Sequence, residues 1–365
     1  MLKSISLQNF RNYKKRTFEF DNPTVTIVGP NTSGKSNLIE GIYLLSNGKS
    51  FRADKDVQMV AYGGEMGRVW ARLQTPERSD GGQGKSTDLK LEVVVTIGEV
   101  AGIKTQHKRY FINGVAKRRA DYVGTMPSVL FSPQDLDVIV GSPGLRRSLL
   151  DHVLEQTDRD YRIALLGYKR ALKQRNALLD LVKKTGESRD KQFEYWDSLV
   201  IRNGNVLTEK REEYIDYLNS SKKDTLDVKV VYDKSEITAE RLDKYKDAER
   251  AVGVTLVGPH RDDLIIHFEK FRDLKLFGSR GQQRLGILQI KFLELEYIRS
   301  RVDNEPILLL DDIFSELDEA HINLILENIG DSQTIITTTH EEFIPAKIKS
   351  KMEVIELNAH SASSG

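Results

Sequence analysis

The chain has 365 residues, of which 39% are apolar and 30% are charged, so it is long and apolar enough for one large or two ordinary globular domains. Its 55 basic and 54 acidic residues give a formal net charge of +1, which excludes a global attraction to nucleic acid or to anionic membranes. It has no cysteine, which excludes disulfides, thiolate metal sites and a cysteine nucleophile.

The N-terminal segment alternates apolar and polar residues. Leu2, Ile5, Leu7 and Phe10 follow a strand-like spacing, and two further strand-like runs occupy residues 17–28. Neither this segment nor any later one approaches ~20 consecutive apolar residues. We therefore expect a strand-rich start, no signal peptide, no membrane span and a cytoplasmic protein.

A glycine-containing loop, GPNTSGKS at 29–36, lies between an apolar run and a helical pattern. Its spacing is that of a phosphate loop, in which backbone amides converge on phosphate oxygens, Lys35 adds a charge and Ser36 offers a hydroxyl to Mg²⁺. A chance match by an ordinary turn is the alternative. The expected nucleotide-binding residues are Gly29, Pro30, Asn31, Thr32, Ser33, Gly34, Lys35, Ser36 and Asn37.

Beyond this loop the chain changes character twice. Short strand-like runs separated by turn residues fill 57–131 and predict an antiparallel β region, with 75–87 as a polar surface loop. Helical patterns then cover 145–184 and 193–218, which predicts an inserted helical arm of two long antiparallel helices. Alternatively, these helices pack flat on the core. The expected domains are 1–142, 143–249 and 250–365.

The segment ILLLDD at 307–312 is an apolar run that ends in two carboxylates. This pattern is typical of a buried strand in a parallel sheet, with its acids at the edge where nucleotides bind. We expect Asp311 to hold Mg²⁺ and Asp312 to accept a proton from an attacking water. The alternative is a strand followed by a solvated acidic turn.

Four further segments resemble those of ABC-type ATPases. GSRGQQR at 278–284 resembles the ABC signature, with Ser279, Gly281 and Gln282 matching and Arg280 in place of the usual second glycine. SELD at 315–318 resembles the D-loop, His340 lies where that class has its switch histidine, and Gln134 lies where it has the Q-loop glutamine that touches Mg²⁺ and water. Alone, each has a plainer interpretation: a helix cap, a structural histidine or a loop glutamine. Because the ABC signature covers the ATP of a second subunit, the resemblance implies an ATP-sandwiched homodimer.

Taken together, the segments resemble the RecF family over essentially the whole chain. The matching segments, in family order, are LQNFRNY (7–13), the phosphate loop, KSFR (49–52), GSPGLRRSLLD (141–151), ALKQRN (171–176), GPHRDDL (258–264), SRGQQR and LLLDDIFSELD (308–318). The resemblance implies an α/β, SMC-like P-loop ABC-type ATPase head with an antiparallel β subdomain and an inserted helical arm. It also implies ATP-dependent dimerisation, slow ATP hydrolysis, and binding to DNA with RecO and RecR in recombinational repair and replication-gap processing. Arg11 and Arg52 match family positions near the nucleotide.

Local clusters of basic residues occur despite the balanced charge. They are Lys14, Lys15 and Arg16; Lys104, Lys108 and Arg109; Lys117, Arg118 and Arg119; and Arg146 and Arg147. If several face one cleft, they can bind DNA phosphates without reading sequence. Each cluster is otherwise simply a solvated surface.

Two other classes share these motifs. The ATPase subunits of membrane transporters are shorter and lack both FRNY and so long a helical insertion. ATPases of defence systems usually carry a nuclease, and the sequence after 345 offers neither a further acidic metal cluster nor an extra domain.

Overall fold

A computed structural model describes residues 1–74, 88–186, 190–269, 271–313, 319–328, 330, 332–344, 349 and 352–358. The chain divides into two compact units, the first formed by Met1–Pro133 with Ile298–Gly365 and the second by Gln134–Tyr297. The second unit is thus an insertion in the sequence of the first. It contains the helical segment expected at 143–249 and also residues 250–297, which the sequence analysis grouped with the C-terminal domain. The surface loop expected at 75–87 and the D-loop at 315–318 lie outside the described residues.

The first unit begins with most of the strands. Its elements up to the insertion are β1 (Leu2–Phe10), β2 (Tyr13–Glu19), β3 (Thr24–Val28), α1 (Lys35–Asn47), β4 (Met66–Gln74), β5 (Asp88–Thr96), β6 (Glu99–Val100), β7 (Ile103–Lys104), β8 (Lys108–Ile112), β9 (Val115–Lys117), α2 (Arg119–Tyr122) and β10 (Ser128–Phe131).

The second unit is mainly helical. It comprises α3 (Leu136–Val140), α4 (Pro143–Thr157), α5 (Arg159–Thr185), α6 (Asp190–Ser220), β11 (Val228–Asp233), α7 (Ala239–Lys244), α8 (Lys246–Val252), β12 (Asp263–Phe268), β13 (Arg272–Asp273), α9 (Leu274–Phe277) and most of α10 (Arg280–Arg301). The first unit then resumes with β14 (Ile307–Asp311), α11 (Glu319–Asn328), β15 (Thr334–Thr338) and β16 (Glu353–Glu356).

A five-stranded parallel sheet in the order β10-β14-β15-β3-β16 forms the centre of the first unit. β14 and β15 are buried along their whole length, as the unbroken apolar run at 307–310 predicts. Asp311 pairs with Thr337, and Thr338 pairs with Val28, so the carboxyl ends of β14, β15 and β3 meet at one edge. That edge is where the phosphate loop begins.

A six-stranded antiparallel sheet in the order β2-β1-β4-β5-β8-β9 forms the other layer of the first unit. Alternate residues such as Ile5, Leu7 and Val69 are fully buried and face α1. The approach is close: a Cβ placed on Gly41 of α1 would lie 2.6 Å from Leu7 Cδ2. The predicted antiparallel region is confirmed, and a glycine lets its sheet pack on the helix that follows the phosphate loop.

The helices α5 and α6 of the second unit pack side by side. Arg175 pairs with Asp197, and Tyr161 pairs with Arg211, so a step of 14 residues down α5 matches 14 residues up α6. The two helices therefore run antiparallel, as predicted. α5 also packs on α4 and α8, and α6 on β11, so the pair is tied into its own unit.

Within the part of the chain that the structure describes, none of the helices combines the length and the apolar character needed to cross a membrane.

Candidate nucleotide-binding site

The phosphate loop joins the end of β3 to the start of α1 and depends on glycine at position 34. Gly34 has φ of +103°, in the region that favours glycine, and a Cβ there would lie 2.6 Å from the Tyr13 hydroxyl. That hydroxyl donates to the Gly34 carbonyl at 3.0 Å. α1 begins at Lys35 without a side-chain cap, so its first amide groups remain a suitable site for an anion.

Lys35 is folded against the loop it follows. Its Nζ donates to the carbonyl oxygens of Gly29 at 2.6 Å and Pro30 at 3.0 Å, and the residue is only 6% exposed. Burial lowers the pKa of Lys35, and the nearby carboxylates of Asp312 and Asp311 act in the opposite direction. The positive charge of Lys35 is therefore held at the phosphate loop by two backbone carbonyls and is influenced by two nearby acids.

Ser36 and Asp311 meet although they are 275 residues apart in the sequence. Ser36 Oγ donates to Asp311 Oδ1 at 3.0 Å, and Thr337 Oγ1 donates to the same oxygen at 2.8 Å. Burial raises the pKa of Asp311, whereas hydrogen bonds from Thr337 and Ser36 oppose that rise. Thr337 was not singled out from the sequence; its place one residue before the end of a buried strand is the signal that could have identified it.

The oxygens of Ser36 and Asp311 fit Mg²⁺. This ion prefers oxygen ligands and is commonly held by one or two carboxylates together with substrate phosphates and water. Among the described residues no group of three or more His, Cys, Asp or Glu side chains could hold a metal. The hydroxyl and carboxylate oxygens of Ser36 and Asp311, beside the phosphate loop, are of the kind that a magnesium nucleotide requires.

Asp312 follows in a turn of left-handed backbone conformation, with φ of +54°. Its amide donates to Thr337 O at 3.2 Å and to Thr337 Oγ1 at 3.0 Å. Thr337 therefore orients both acids. The negative charge of Asp312 opposes the lowering of the Lys35 pKa by burial.

The Arg11 side chain forms an ion pair with Glu40 of α1. Its Nε and Nη2 donate to the two carboxylate oxygens of Glu40 at 2.8 and 2.6 Å, and Nη1 donates to Gln58 O at 2.8 Å. Glu40 is completely buried, and Ser50 also donates to it. Glu40 was not predicted from the sequence, although an acid within the apolar stripe of α1 could have identified it.

Arg52 contacts the first turn of α1. Its Nη1 donates to Asn37 Oδ1 at 3.3 Å, and Asn37 in turn donates to Asn12 Oδ1 at 2.7 Å. The positive charge of Arg52 also opposes the rise in the pKa of Asp311 that burial causes. Arg52, rather than Arg11, is thus the arginine whose charge reaches the acid end of β14.

The two remaining expected catalytic residues are exposed. His340 follows β15, and its carbonyl accepts a hydrogen bond from Thr338 Oγ1 at 3.2 Å. Gln134 lies in a short turn at Pro133–Asp135, where the second unit begins.

The signature-like segment forms the capped start of α10 in the second unit. Ser279 N donates to Gln282 Oε1 at 2.9 Å, and Gln282 N donates to Ser279 Oγ at 3.2 Å, which is a reciprocal capping box. Ser279, Arg280 and Gly281 are exposed, and a Cβ on Gly281 would meet no atom within 4 Å. Arg280 occupies an ordinary helical position, so its departure from glycine causes no local strain.

The residues expected to bind DNA fall into two groups. In the first, Lys108 pairs with Asp56 at 2.8 Å, Arg119 donates to Asn47 O at 2.8 Å, and Arg147 donates to Asp262 O at 2.6 Å. Arg146 is only 5% exposed and pairs with both oxygens of Asp263, which removes it from the set that can meet a phosphate. The second group, Lys104, Arg109, Lys117 and Arg118, is exposed.

The phosphate loop and the strand that ends in two acids belong to one parallel sheet, and the same unit contains an antiparallel sheet. In the sequence, a helical insertion separates the loop from that strand. This combination defines an ABC-type P-loop ATPase head. Residues 1–361 match the family model described as the RecF/RecN/SMC N terminal domain, and the chain belongs to this family, in its RecF branch.

The similar proteins cover nearly the whole chain. The DNA replication and repair protein RecF of Moorella thermoacetica is 34% identical over 98% of this chain and 94% of its own length. RecF of Bacillus cereus strain G9842 is 32% identical over 93% and 92%. Solved structures described as the recombination mediator protein RecF-ATPrS and RecF-ATP in the RecFOR pathway match with TM-scores of 0.83 and 0.82. Each is 30% identical and covers 94% of this chain and 94% and 93% of its own, respectively. These matches favour the RecF interpretation over a transporter subunit or a defence ATPase.

Proposed function

We propose that this protein is an ATP-dependent DNA clamp that acts in recombinational repair and at replication gaps and stalled forks. The observation that carries the proposal is the contact between Ser36 Oγ and Asp311 Oδ1, which joins the phosphate loop to the acid end of β14 at 3.0 Å. It unites both halves of a magnesium-nucleotide site. Solved RecF-ATP structures support ATP as the nucleotide.

In this proposal Lys35 exchanges its two carbonyl contacts for the phosphates of ATP, and Ser36 with Asp311 holds Mg²⁺. The ion neutralises phosphate charge when bound. Asp312 accepts a proton from the attacking water, while Gln134 and His340 orient that water. Aspartate is one methylene shorter than the glutamate common in transporters, which supports slow hydrolysis. Stimulation of that hydrolysis by DNA is a further part of the proposal.

The exposed signature turn supports an ATP-dependent homodimer. Ser279, Arg280, Gly281 and Gln282 form the N-terminus of a long helix whose outer surface is free of side chains around Gly281. Such a terminus favours an anion. We assign it to the γ-phosphate of ATP bound to a second copy, so that binding closes two copies around DNA and hydrolysis releases them. RecO and RecR are the proposed protein partners, helping the clamp to load recombinase.

The test is to size the protein by light scattering without nucleotide, with ADP and with a non-hydrolysable ATP analogue, each with and without DNA. We expect a monomer in the first two conditions and a dimer with the analogue. A monomer in every condition would contradict the trans site while leaving ATP binding to be measured separately.

A further inference from the structure

The antiparallel sheet of the first unit has a second, solvent-facing side. Residues paired across neighbouring strands lie side by side on one face of a sheet. Ile5, Leu7 and Val69 are buried, and they form one face together with the residues opposite them on neighbouring strands. The residues that alternate with these along each strand form the other face. We call this solvent-facing side the outer sheet face.

A row without acids crosses the outer sheet face. In successive pairs, Lys15 lies opposite Gln8, Gln8 opposite Arg68, Arg68 opposite Val94, and Val94 opposite Arg109. The row spans five strands, or about 19 Å at the usual spacing between strands. Its three cations are thus spread over a width comparable to a DNA strand crossing the sheet.

The neighbouring rows add to the positive charge. Arg72 lies opposite Lys90, and their side chains are 59% and 46% exposed. Two acids share these rows: Glu92 is bound by Arg68 at 2.6 and 2.8 Å, and Glu19 is 3.5 Å from Arg72. Asp88, two residues before Lys90 on β5, is a third acid on this face, so five cations outnumber three acids in a chain whose net charge is only +1.

Two aromatic residues lie under the arginines of this face. The Arg68 guanidinium is 4.9 Å from the centre of the Trp70 ring, and that of Arg109 is 5.2 Å from the Phe111 ring. Both rings are half-buried. The rings hold the guanidinium groups in place, and cations that can follow a DNA backbone bind it without reading sequence.

We propose that the outer sheet face is the DNA-contacting surface of this protein and that it binds phosphates through Lys15, Arg72, Lys90 and Arg109, while Arg68 neutralises Glu92. The proposal rests on the DNA-binding function proposed above. It replaces most of the basic clusters seen in the sequence, because only Lys15 and Arg109 of those clusters belong to this face. A polyanion is favoured over an apolar protein partner because the aromatic rings are covered by guanidinium groups.

The test compares two variants with equal loss of charge. The face variant carries Lys15→Gln, Arg72→Gln and Arg109→Gln, and leaves Arg68 to balance buried Glu92. The control carries Lys104→Gln, Lys117→Gln and Arg118→Gln, three exposed cations of the same unit that lie off this face. Binding to oligo-dT and to duplex DNA is measured by anisotropy at several salt concentrations, and ATP binding verifies that both variants are folded.

We expect the face variant to lose at least ~10-fold in DNA affinity, with a salt slope shallower by about 2 to 3, and the control to match the wild type. Reduced binding in the control but not in the face variant would overturn this assignment while leaving DNA binding itself intact. Wild-type affinity in the face variant would also overturn it, with a protein as the remaining occupant. No DNA binding by the wild-type protein with an ATP analogue would instead refute the proposed function.

Discussion

Lys35 has a lowered pKa because it is buried, yet its ammonium group is held by carbonyl dipoles and by the fields of two acids. These contacts preserve the charge of the lysine before any phosphate arrives. A lysine placed in this way contributes to phosphate binding as a point charge rather than through a fixed hydrogen-bond geometry.

Replacing Lys35 with methionine keeps most of the packing volume and removes the charge. We expect ATP affinity to fall by at least ~100-fold because charge-assisted contacts to phosphate are lost. Calorimetric titration with ATP and Mg²⁺ measures the effect. Lys55→Met, an exposed site in the same unit, is the matched control, and ATP binding by Lys35→Met close to that of the control would refute the assigned phosphate loop.

Arg11, which matches a family position near the nucleotide, also has a structural role. All three of its donor nitrogens are bonded within the protein, to Glu40 and Gln58 O. Because Glu40 is completely buried, the arginine compensates a charge that would otherwise be stranded inside α1.

Arg11→Ala is therefore expected to destabilise the first unit by about 3 kcal/mol. The double variant Arg11→Met with Glu40→Gln should recover much of that loss because no unpaired charge remains. Denaturant unfolding is followed by Trp70 fluorescence in a Trp196→Phe background, since these two are the only tryptophans in the chain. A single variant as stable as the wild type would show that the pair is not structural.

His260 is a half-buried histidine of the second unit. Its Nε2 lies 3.1 Å from Thr255 O, which can only accept, so Nε2 carries the proton and Nδ1 accepts from the Tyr168 hydroxyl at 2.7 Å. Burial, with the nearby charges of Arg261, Arg147 and Arg175, lowers the pKa of His260 from 6.5 to about 4. The unfolded chain therefore binds the extra proton first.

Since the unfolded state is protonated and the folded state is not, His260 lowers the stability of the second unit as pH falls from about 6.5 to 4. The full loss is on the order of 3 kcal/mol. We expect His260→Gln to flatten the pH dependence in this window, measured by Trp196 fluorescence in a Trp70→Phe background. His107→Gln, at an exposed histidine, is the control, and an unchanged slope in His260→Gln would contradict the assignment.

At the scale of elements, the α5–α6 pair is joined by charge as well as by apolar packing. Arg175 is 4% exposed and contacts Asp197 Oδ1 at 2.6 Å, Glu249 Oε2 at 2.7 Å and Thr255 Oγ1 at 2.9 Å. One side chain thus links α5, α6, α8 and the loop that follows. Such a network makes the position of each helix depend on the others.

Arg175→Leu leaves the carboxylate of Glu249 buried and unpaired. We expect the second unit to lose about 3 to 5 kcal/mol. ATP binding by the first unit should be unchanged, because the phosphate loop and Asp311 lie outside Gln134–Tyr297. Hydrogen exchange resolves the two units separately, and Arg170→Leu on the exposed side of α5 is the control. Uniform destabilisation of both units would show that they unfold together.

At the scale of the whole molecule, the proposed mechanism requires the nucleotide site of one copy and the signature turn of another. Asp312 is oriented by its amide contacts to Thr337, and its proposed role is to activate water. Its amide analogue keeps a similar shape and cannot accept that proton.

We expect Asp312→Asn to bind ATP and to remain dimeric, with hydrolysis reduced by ~100-fold or more. Light scattering after gel filtration in ATP and Mg²⁺ measures the dimer, and phosphate release measures turnover. The Lys35→Met variant serves as the monomeric reference. A monomeric Asp312→Asn protein in saturating ATP and Mg²⁺ would count against hydrolysis as the step that opens the clamp.

The sequence by itself determined the parts of this protein whose signals are local. A strand, a glycine loop and a helix are adjacent in the chain, and the apolar run before Asp311 needs no distant partner to be recognised. Periodicity likewise predicted the antiparallel strands and the α5–α6 pair. These features depend on short-range backbone geometry and on burial patterns, both of which are written in consecutive residues.

Only the tertiary structure decided which side chains meet. Thr337 and Glu40 have no motif, and their roles arise because β15 lies beside β14 and because Arg11 reaches α1. Basic clusters in the sequence were likewise separated into buried ion pairs, such as Arg146 with Asp263, and exposed cations. The outer sheet face gathers Lys15, Arg68 and Arg109 from three distant segments, because strand register, not sequence spacing, places residues on one side of a sheet.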